Sequence, residues 1–310
     1  MDMAILRFFE SIRNPVLDAF FSAVTTLGEE TFFIVIGIVL FWCIDKRQGY
    51  FIMFTGFIGT IINQFLKLWF RVPRPWVRDE SFTIVESARE QATGYSFPSG
   101  HTQMSVGTFG GVARIRREKW LRIISIVFCV LVPISRLYLG VHTPQDVLVS
   151  TGVALVLIFT LYPLLGWALK KPLNMRIFMG VLVALSVAFV LFVEFYPFPA
   201  DIDAHNYESG VKNGYKMLGC ILGLWIAYEV DSKFTKFETK ASFLVQVLKV
   251  ALGLLPLLGI KALLKTPLYA IIGNEGIADG VRYLLIAVFA GAVWPLTFKL
   301  FAKLDKGEKD

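Results

Sequence analysis

A chain of 310 residues that is 55% hydrophobic, with a mean hydropathy of +0.62, excludes an ordinary soluble domain and points to a polytopic membrane protein. Its net charge of +7 falls in alternate loops, so topology accounts for it and nucleic acid has no place as a partner. The three cysteines, Cys43, Cys129 and Cys220, each sit in an apolar run without CxxC spacing, which argues against a disulfide framework or a zinc site.

Residues 1–27 open the chain as an amphipathic segment. Ile5, Leu6, Phe8, Phe9 and Ile12 alternate with Arg7, Glu10 and Arg13, and Pro15 breaks the run. Short helices lying on the membrane surface are predicted there. The basic stretch and cleavage site of a signal peptide are missing, so the first span is expected to act as the targeting signal. Apolar runs near 20 residues then recur about nine times. They lie at 28–45, 49–70, 100–114, 119–138, 144–169, 174–196, 210–229, 241–263 and 281–302, and the third is the least apolar. Lys/Arg-bearing loops at 45–47, 114–119, 170–176 and 233–240, with the tail Lys303–Lys309, are predicted to be cytoplasmic. The N-terminus and the loops 71–99, 136–143, 197–209 and 264–280 then face outward. The expected fold is all-α: a polytopic helical membrane bundle of about nine spans with interfacial N-terminal helices. It divides into the segment 1–27, a motif-bearing core over 28–170 and accessory helices over 171–310. Gly210, Gly214, Gly219 and Gly223 lie near one helix face and predict close packing.

Three polar strings fall at the ends of spans in the core, all on the outward side. They are KLWFRVPRP (67–75), PSGH (98–101) and SRLYLGVHTPQD (135–146), and they hold two of the chain's three histidines. In the third, Thr143-Pro144-Gln145-Asp146 reads as a helix start, with Thr143 as N-cap, Pro144 at the first helical position and Asp146 reaching back. Taken alone this is a capping box with His142 as a loop residue. Asp146 can also accept the Nδ1 proton of His142 and leave Nε2 nucleophilic, and both readings can hold together. In the second string Ser99 can cap, Gly100 allows close backbone approach, and His101 lies in a first turn whose N–H groups suit an anion. Lys67, Arg74 and Arg136 read singly as headgroup contacts. Converging, they read as a phosphate grip, with arginine able to hold two oxygens at once.

The pattern K-x6-RP, PSGH, SR-x5-H-x3-D resembles the three-part signature of the type-2 phosphatidic acid phosphatase superfamily, matched at Lys67, Arg74-Pro75, Pro98–His101, Ser135-Arg136, His142 and Asp146. The resemblance implies a helical membrane phosphatase that needs no metal or cofactor. It implies His142 as nucleophile, Asp146 as its orienter and His101 as general acid. Lys67, Arg74, Arg136 and the backbone of Ser99 and Gly100 would hold the phosphoryl oxygens. The nine-span layout is similar to the glucose-6-phosphatase and sphingosine-phosphate phosphatase branches, with the last three spans as the departure from six-span bacterial members. The expected partners are the bilayer and a membrane lipid phosphate or diphosphate at the outer face of a cell membrane, or the lumenal face of an organelle. A soluble sugar phosphate, phosphotransfer to another acceptor and a lipid transporter remain as alternatives. For the last of these, Lys249 and Lys261 are the clearest ionisable residues inside apolar runs.

Overall fold

The computed structural model describes residues 2–307 apart from 91 and 93, without the side chains of 303 and 305–307. The basic tail from 303 onward is therefore largely outside the described residues. Every regular element among the described residues is helical, as the apolar runs require of a chain that must satisfy its own backbone in lipid.

One compact unit comprises residues 2–35, 51–163 and 197–210. Its first helices are α1 (Asp2–Ser11) and α2 (Pro15–Thr26). Asn14 separates them, its Oδ1 accepting from the N–H of Val16 and Leu17 at 3.1 Å each, while Pro15 takes the first helical position. The apolar residues Ile5, Phe8, Ile12, Val16 and Phe20 stay exposed, as a lipid-facing surface would be. The charged residues do not simply face water. Arg7 pairs with Asp79 at 2.8 Å, Glu10 accepts from Thr83 N–H at 2.8 Å, and Arg13 donates to Thr83 O at 2.7 Å and Tyr138 O at 3.1 Å. Leu6 is buried against Phe82 and Ile84. The amphipathic segment thus clamps the 79–83 loop.

The chain continues through α3 (Glu30–Ile44), bent by 48° from α2, α4 (Lys46–Phe70), the helical run 100–115 (α5), α6 (Lys119–Tyr138) and α7 (Pro144–Ala168). Helix α6 is built inside out. It buries Ser125, Ser135, Arg136 and Tyr138, and exposes Trp120, Ile123, Ile126, Val127 and Val130. A helix that turns its apolar face outward and its polar face inward is adapted to lipid. Helix α2 and the first turns of α5 both pack on α6.

The other unit comprises residues 36–50, 164–196 and 211–307. It holds α8 (Pro172–Phe195), α9 (Ala204–Val230), which enters it from residue 211, α10 (Phe243–Leu263) and α11 (Glu275–Ala302). The glycine stripe of α9 does pack closely: a Cβ at Gly219 would collide with the Gly280 backbone, and one at Gly223 with Ala287. Lys249 is buried, yet its Nζ donates to Trp42 O at 3.1 Å and Gln246 Oε1 at 3.0 Å.

By length and composition six helices among the described residues could cross a membrane: 46–78, 119–138, 144–168, 172–195, 243–263 and 275–302. The bent pair α2–α3 would make a seventh. The expected spans at 100–114 and 210–229 are helical but fall outside this set, so nine spans are not reached. The reasons differ: α5, over 100–115, is too short to cross as well as polar at its start, and α9 carries Glu208, Lys212, Lys216 and Glu229.

Candidate active site

The three polar strings meet within one unit. Helix α6 ends in a Schellman motif: Gly140, at φ 81°, lets its own N–H return to Leu137 O at 3.0 Å and the N–H of Val141 return to Arg136 O at 3.2 Å. That turn carries the chain from Arg136 to His142 in a few residues. Helix α7 then starts as predicted. Asp146 Oδ2 accepts from the Thr143 N–H at 2.7 Å, and Thr143 Oγ1 accepts from the Asp146 N–H at 3.4 Å.

His142 is buried beside Asp146. Its Nδ1 lies 3.4 Å from Asp146 Oδ2, within ion-pair range but without hydrogen-bond geometry. Its Nε2 lies 3.0 Å from Arg74 Nη1. Burial first, and then the charges of Arg74, Arg136 and Lys67, push the His142 imidazole well below its ordinary pKa, against a raising contribution from the Ser96 backbone. A neutral ring is the protonation state that a nucleophile needs.

Three cations act on that ring, and Arg74 is the one placed within hydrogen-bond distance of Nε2. Arg74 Nη1 donates to Val141 O at 2.7 Å and Nε to Gly94 O at 3.0 Å. Lys67 Nζ donates to Tyr95 O. Arg136 is fully buried and donates from Nη1 to Thr25 Oγ1 at 2.6 Å, while its Nε and Nη2 have no hydrogen-bond partner.

In the second string Ser99 caps α5, its Oγ accepting from Thr102 N–H at 3.3 Å. The Ser99 N–H donates to Asp146 O at 3.2 Å, a tie to the third string. Gly100 and His101 form the first turn, and His101 lies within electrostatic reach of Arg136, His142, Arg74 and Lys67. Its Nε2 is buried without a partner.

Several contributors were not among the expected residues. Ser96 Oγ donates to Asp146 Oδ2 at 2.5 Å, and Thr25 brings the amphipathic segment into the site. No spacing marks either one. The Leu-Gly pair after α6 was a readable signal for the turn that joins Arg136 to His142.

Residues 48–170 match the PAP2 superfamily, and residues 215–306 match the transmembrane extension of PAP2 superfamily phosphatases. Phosphatidylglycerophosphatase B of Bacillus subtilis (strain 168) is 30% identical over 171 residues, spanning 51% of this chain and 80% of that protein. The chain belongs to the PAP2 superfamily. A probable sphingosine-1-phosphate phosphatase of Dictyostelium discoideum is 28% identical over 241 residues, spanning 73% of this chain and 57% of that protein. Undecaprenyl-diphosphatase BcrC of the same Bacillus strain is 29% identical over 154 residues, spanning 49% of this chain and 77% of that protein. The match to the Dictyostelium protein thus reaches beyond the core that the Bacillus proteins share. The chain is an integral membrane phosphatase of the family whose members hydrolyse phosphate esters, and lipid phosphates are the substrates named for these relatives.

Proposed function

We propose that this enzyme hydrolyses the phosphate or diphosphate monoester of a membrane lipid at the outer membrane face through a phosphohistidine. The carrying observation is that buried Lys67, Arg74 and Arg136 all act electrostatically on the His142 ring, whose Nε2 lies 3.0 Å from Arg74 and whose other nitrogen faces Asp146. Phosphoryl transfer asks mainly for positioning and charge, and three cations supply the charge.

In the first step His142 Nε2 attacks phosphorus in line. The P–O bond to the lipid breaks, and His101 gives a proton to the departing oxygen. In the second step water attacks the same phosphorus and loses a proton to His101. The P–N bond breaks, releasing inorganic phosphate and neutral His142. Asp146 orients His142 throughout. The cations belong to the protein, so no metal is called for, and the working core is 28–170 with 1–27 as its clamp.

The test is phosphate release by the purified protein in detergent from a panel of lipid and sugar phosphates. Release is expected from lipid esters, to persist in EDTA and to be inhibited by vanadate, which adopts the geometry of the transferring group. Activity lost to EDTA and restored by magnesium would overturn the charge assignment. Sidedness is tested in a cysteine-free background. A cysteine at the exposed Ser81 should react with an impermeant maleimide in intact cells, and one at Lys119 only after permeabilisation. The reverse order would turn the site to the cytoplasm.

A further inference from the structure

In the unit that holds α8, α10 and α11, a cavity of about 220 Å³ is walled by the loop 235–241, α10 and the end of α11. Asp231 builds that loop. Its backbone oxygen accepts from the Lys236 N–H at 2.9 Å, its Oδ1 accepts from the Phe237 N–H at 3.1 Å, and its Oδ2 pairs with Lys46 at 2.6 Å. The turn holds Lys236 in the left-handed region at φ 42°, which few residues other than glycine adopt. Lys236, Lys240 and Lys299 stand exposed in the lining, and Lys249 lies buried in it. Glu238 is the one carboxylate among the described lining residues.

Part of this charge has an ordinary explanation. Lys236 and Lys240 lie in a loop expected to face the cytoplasm, and Lys236 follows a helix end, where a cation is favoured. Neither reason reaches Lys249. It lies inside an apolar span, is 2% exposed, and donates to the neutral Trp42 carbonyl and Gln246 amide. Its Nζ lies 4.2 Å from the centre of the Phe298 ring. Among the described residues no carboxylate pairs with Lys249, Lys236, Lys240 or Lys299, and Asp231 is taken by Lys46. A buried cation is ordinarily matched by an acid. Left unmatched in a low-dielectric wall, its field is focused into the cavity.

We infer that this cavity binds the phosphate of an anionic phospholipid headgroup. The three exposed lysines supply the direct contacts, and buried Lys249 supplies field rather than a bond. Glu238 leaves four lysines facing one acid, so the cavity prefers an anion. The end of α11 points to a lipid rather than a free ion. Leu296, Leu300 and Leu304 recur every four residues and stay exposed, and Lys299 adjoins that row. Acyl chains lie along the leucines while the headgroup reaches the lysines, as basic clusters at a membrane surface hold anionic lipids. A phosphodiester lipid meets this chemistry without being a substrate for monoester hydrolysis, so ligand and substrate can be told apart.

The experiment reads the melting temperature of the purified full chain in neutral detergent micelles, followed by tryptophan fluorescence. The additions are phosphatidylglycerol, phosphatidylcholine with the same acyl chains, and inorganic phosphate. Phosphatidylglycerol should raise the melting temperature by about 3 °C or more above phosphatidylcholine, since a ligand that binds the folded state stabilises it. In Lys236→Gln/Lys240→Gln/Lys299→Gln that difference should vanish. In a charge-matched control, Lys119→Gln/Lys170→Gln/Lys171→Gln, it should remain. All six lysines are exposed, so neither variant removes packed core. The wild-type comparison of the two lipids needs no variant, so a poorly folded substitution does not remove the test. Equal stabilisation by the two lipids overturns the inference. Stabilisation as large with inorganic phosphate alone overturns the lipid assignment. A difference that persists in the cavity variant, or is lost in the control as well, overturns the assignment to this cavity.

Discussion

Two buried arginines in this protein are held in opposite ways. Arg282, in the unit that contains α11, lies against Asp279 and donates to Lys261 O at 3.2 Å. Asp279 also accepts from the Tyr269 hydroxyl at 3.0 Å and sits 3.7 Å from Lys216. Charge there is matched by charge, which is how a fold tolerates a buried ion. Arg136 is fully buried, yet its hydrogen-bond acceptor is the neutral Thr25 hydroxyl, and two of its nitrogens go without. Lys67 and Arg74 donate to backbone carbonyls, and Asp146, the carboxylate at the centre, already takes Ser96 and Thr143 and faces His142. The second arrangement is poor for stability and useful for function. Arg136 keeps two donors without a hydrogen-bond partner, which an anion could take.

The largest expected effect breaks the site at its centre. His142→Ala should lower kcat/KM by about a thousandfold or more while leaving the melting temperature near wild type, because the nucleophile is gone but little packed core is lost. Residual activity above about a tenth of wild type would contradict a covalent role of this importance. The pH profile carries a sign. The neutral imidazole attacks, so rate is lost as pH falls through the His142 pKa. Burial and three cations hold that pKa below the ordinary value of about 6.5, so the acid limb of kcat/KM should lie below pH 6.5. A limb well above it would mean that the ring sits in a different field.

Next come the two arginines themselves. Arg136→Met should cost about a hundredfold or more in kcat/KM, in line with loss of one transition-state contact. Its melting temperature should hold or rise, since the hydrogen bond lost is to the neutral Thr25 hydroxyl and two buried donors without hydrogen-bond partners are removed. Asp279→Ala should do the reverse. It strands Arg282 and should destabilise by about 3–5 kcal/mol, with kcat per folded enzyme close to wild type. Circular-dichroism melts and phosphate release on the same preparations decide it. Similar losses of stability in both variants would erase the distinction.

His101→Ala separates the leaving-group role from phosphate holding. Alkyl phosphates should slow by about 10²–10⁴-fold, whereas an activated aryl phosphate, whose leaving group needs no proton, should be largely spared. Equal damage to both would make His101 a binding residue.

The parts of this molecule that were legible in the sequence are those with a short-range code. Thr143 and Asp146 form the reciprocal cap that their spacing demands, and Asn14-Pro15 divides the N-terminal helices where proline must. Lys67, Arg74, Arg136, His101 and His142 converge because each closes or opens a helix on one side. What was not legible depends on which faces meet. Nothing in spacing says that Thr25 reaches Arg136, or that the Gly94 and Tyr95 carbonyls engage Arg74 and Lys67. Hydropathy placed helices at 100–114 and 210–229 that are there, but it does not by itself make them membrane spans. The α5 helix is both short and polar at its start, where His101 lies, so a length-and-apolarity measure leaves out a segment that carries a candidate site residue.

The smallest effect sharpens the comparison furthest, because it concerns how Asp146 is divided between structure and chemistry. Asp146 Oδ2 faces three groups: the Ser96 hydroxyl, the Thr143 N–H and His142 Nδ1. The Thr143 contact belongs to the helix cap and would exist without catalysis. The Ser96 contact has no capping role, and it fixes the oxygen that faces His142. Ser96→Ala should therefore leave the helix start intact and loosen the orienter. A buried hydrogen bond to a charged group contributes about 1.5–3 kcal/mol, but the Asp146 oxygen keeps its other partners, so a loss of about fivefold to tenfold in kcat is expected. KM should hardly move, because the cations that grip the phosphate are not touched. If Asp146 serves only as a cap, Ser96→Ala will lower the melting temperature and leave kcat alone. If Ser96 positions the orienter, kcat falls, and Ser96→Thr, which restores the hydroxyl, recovers it.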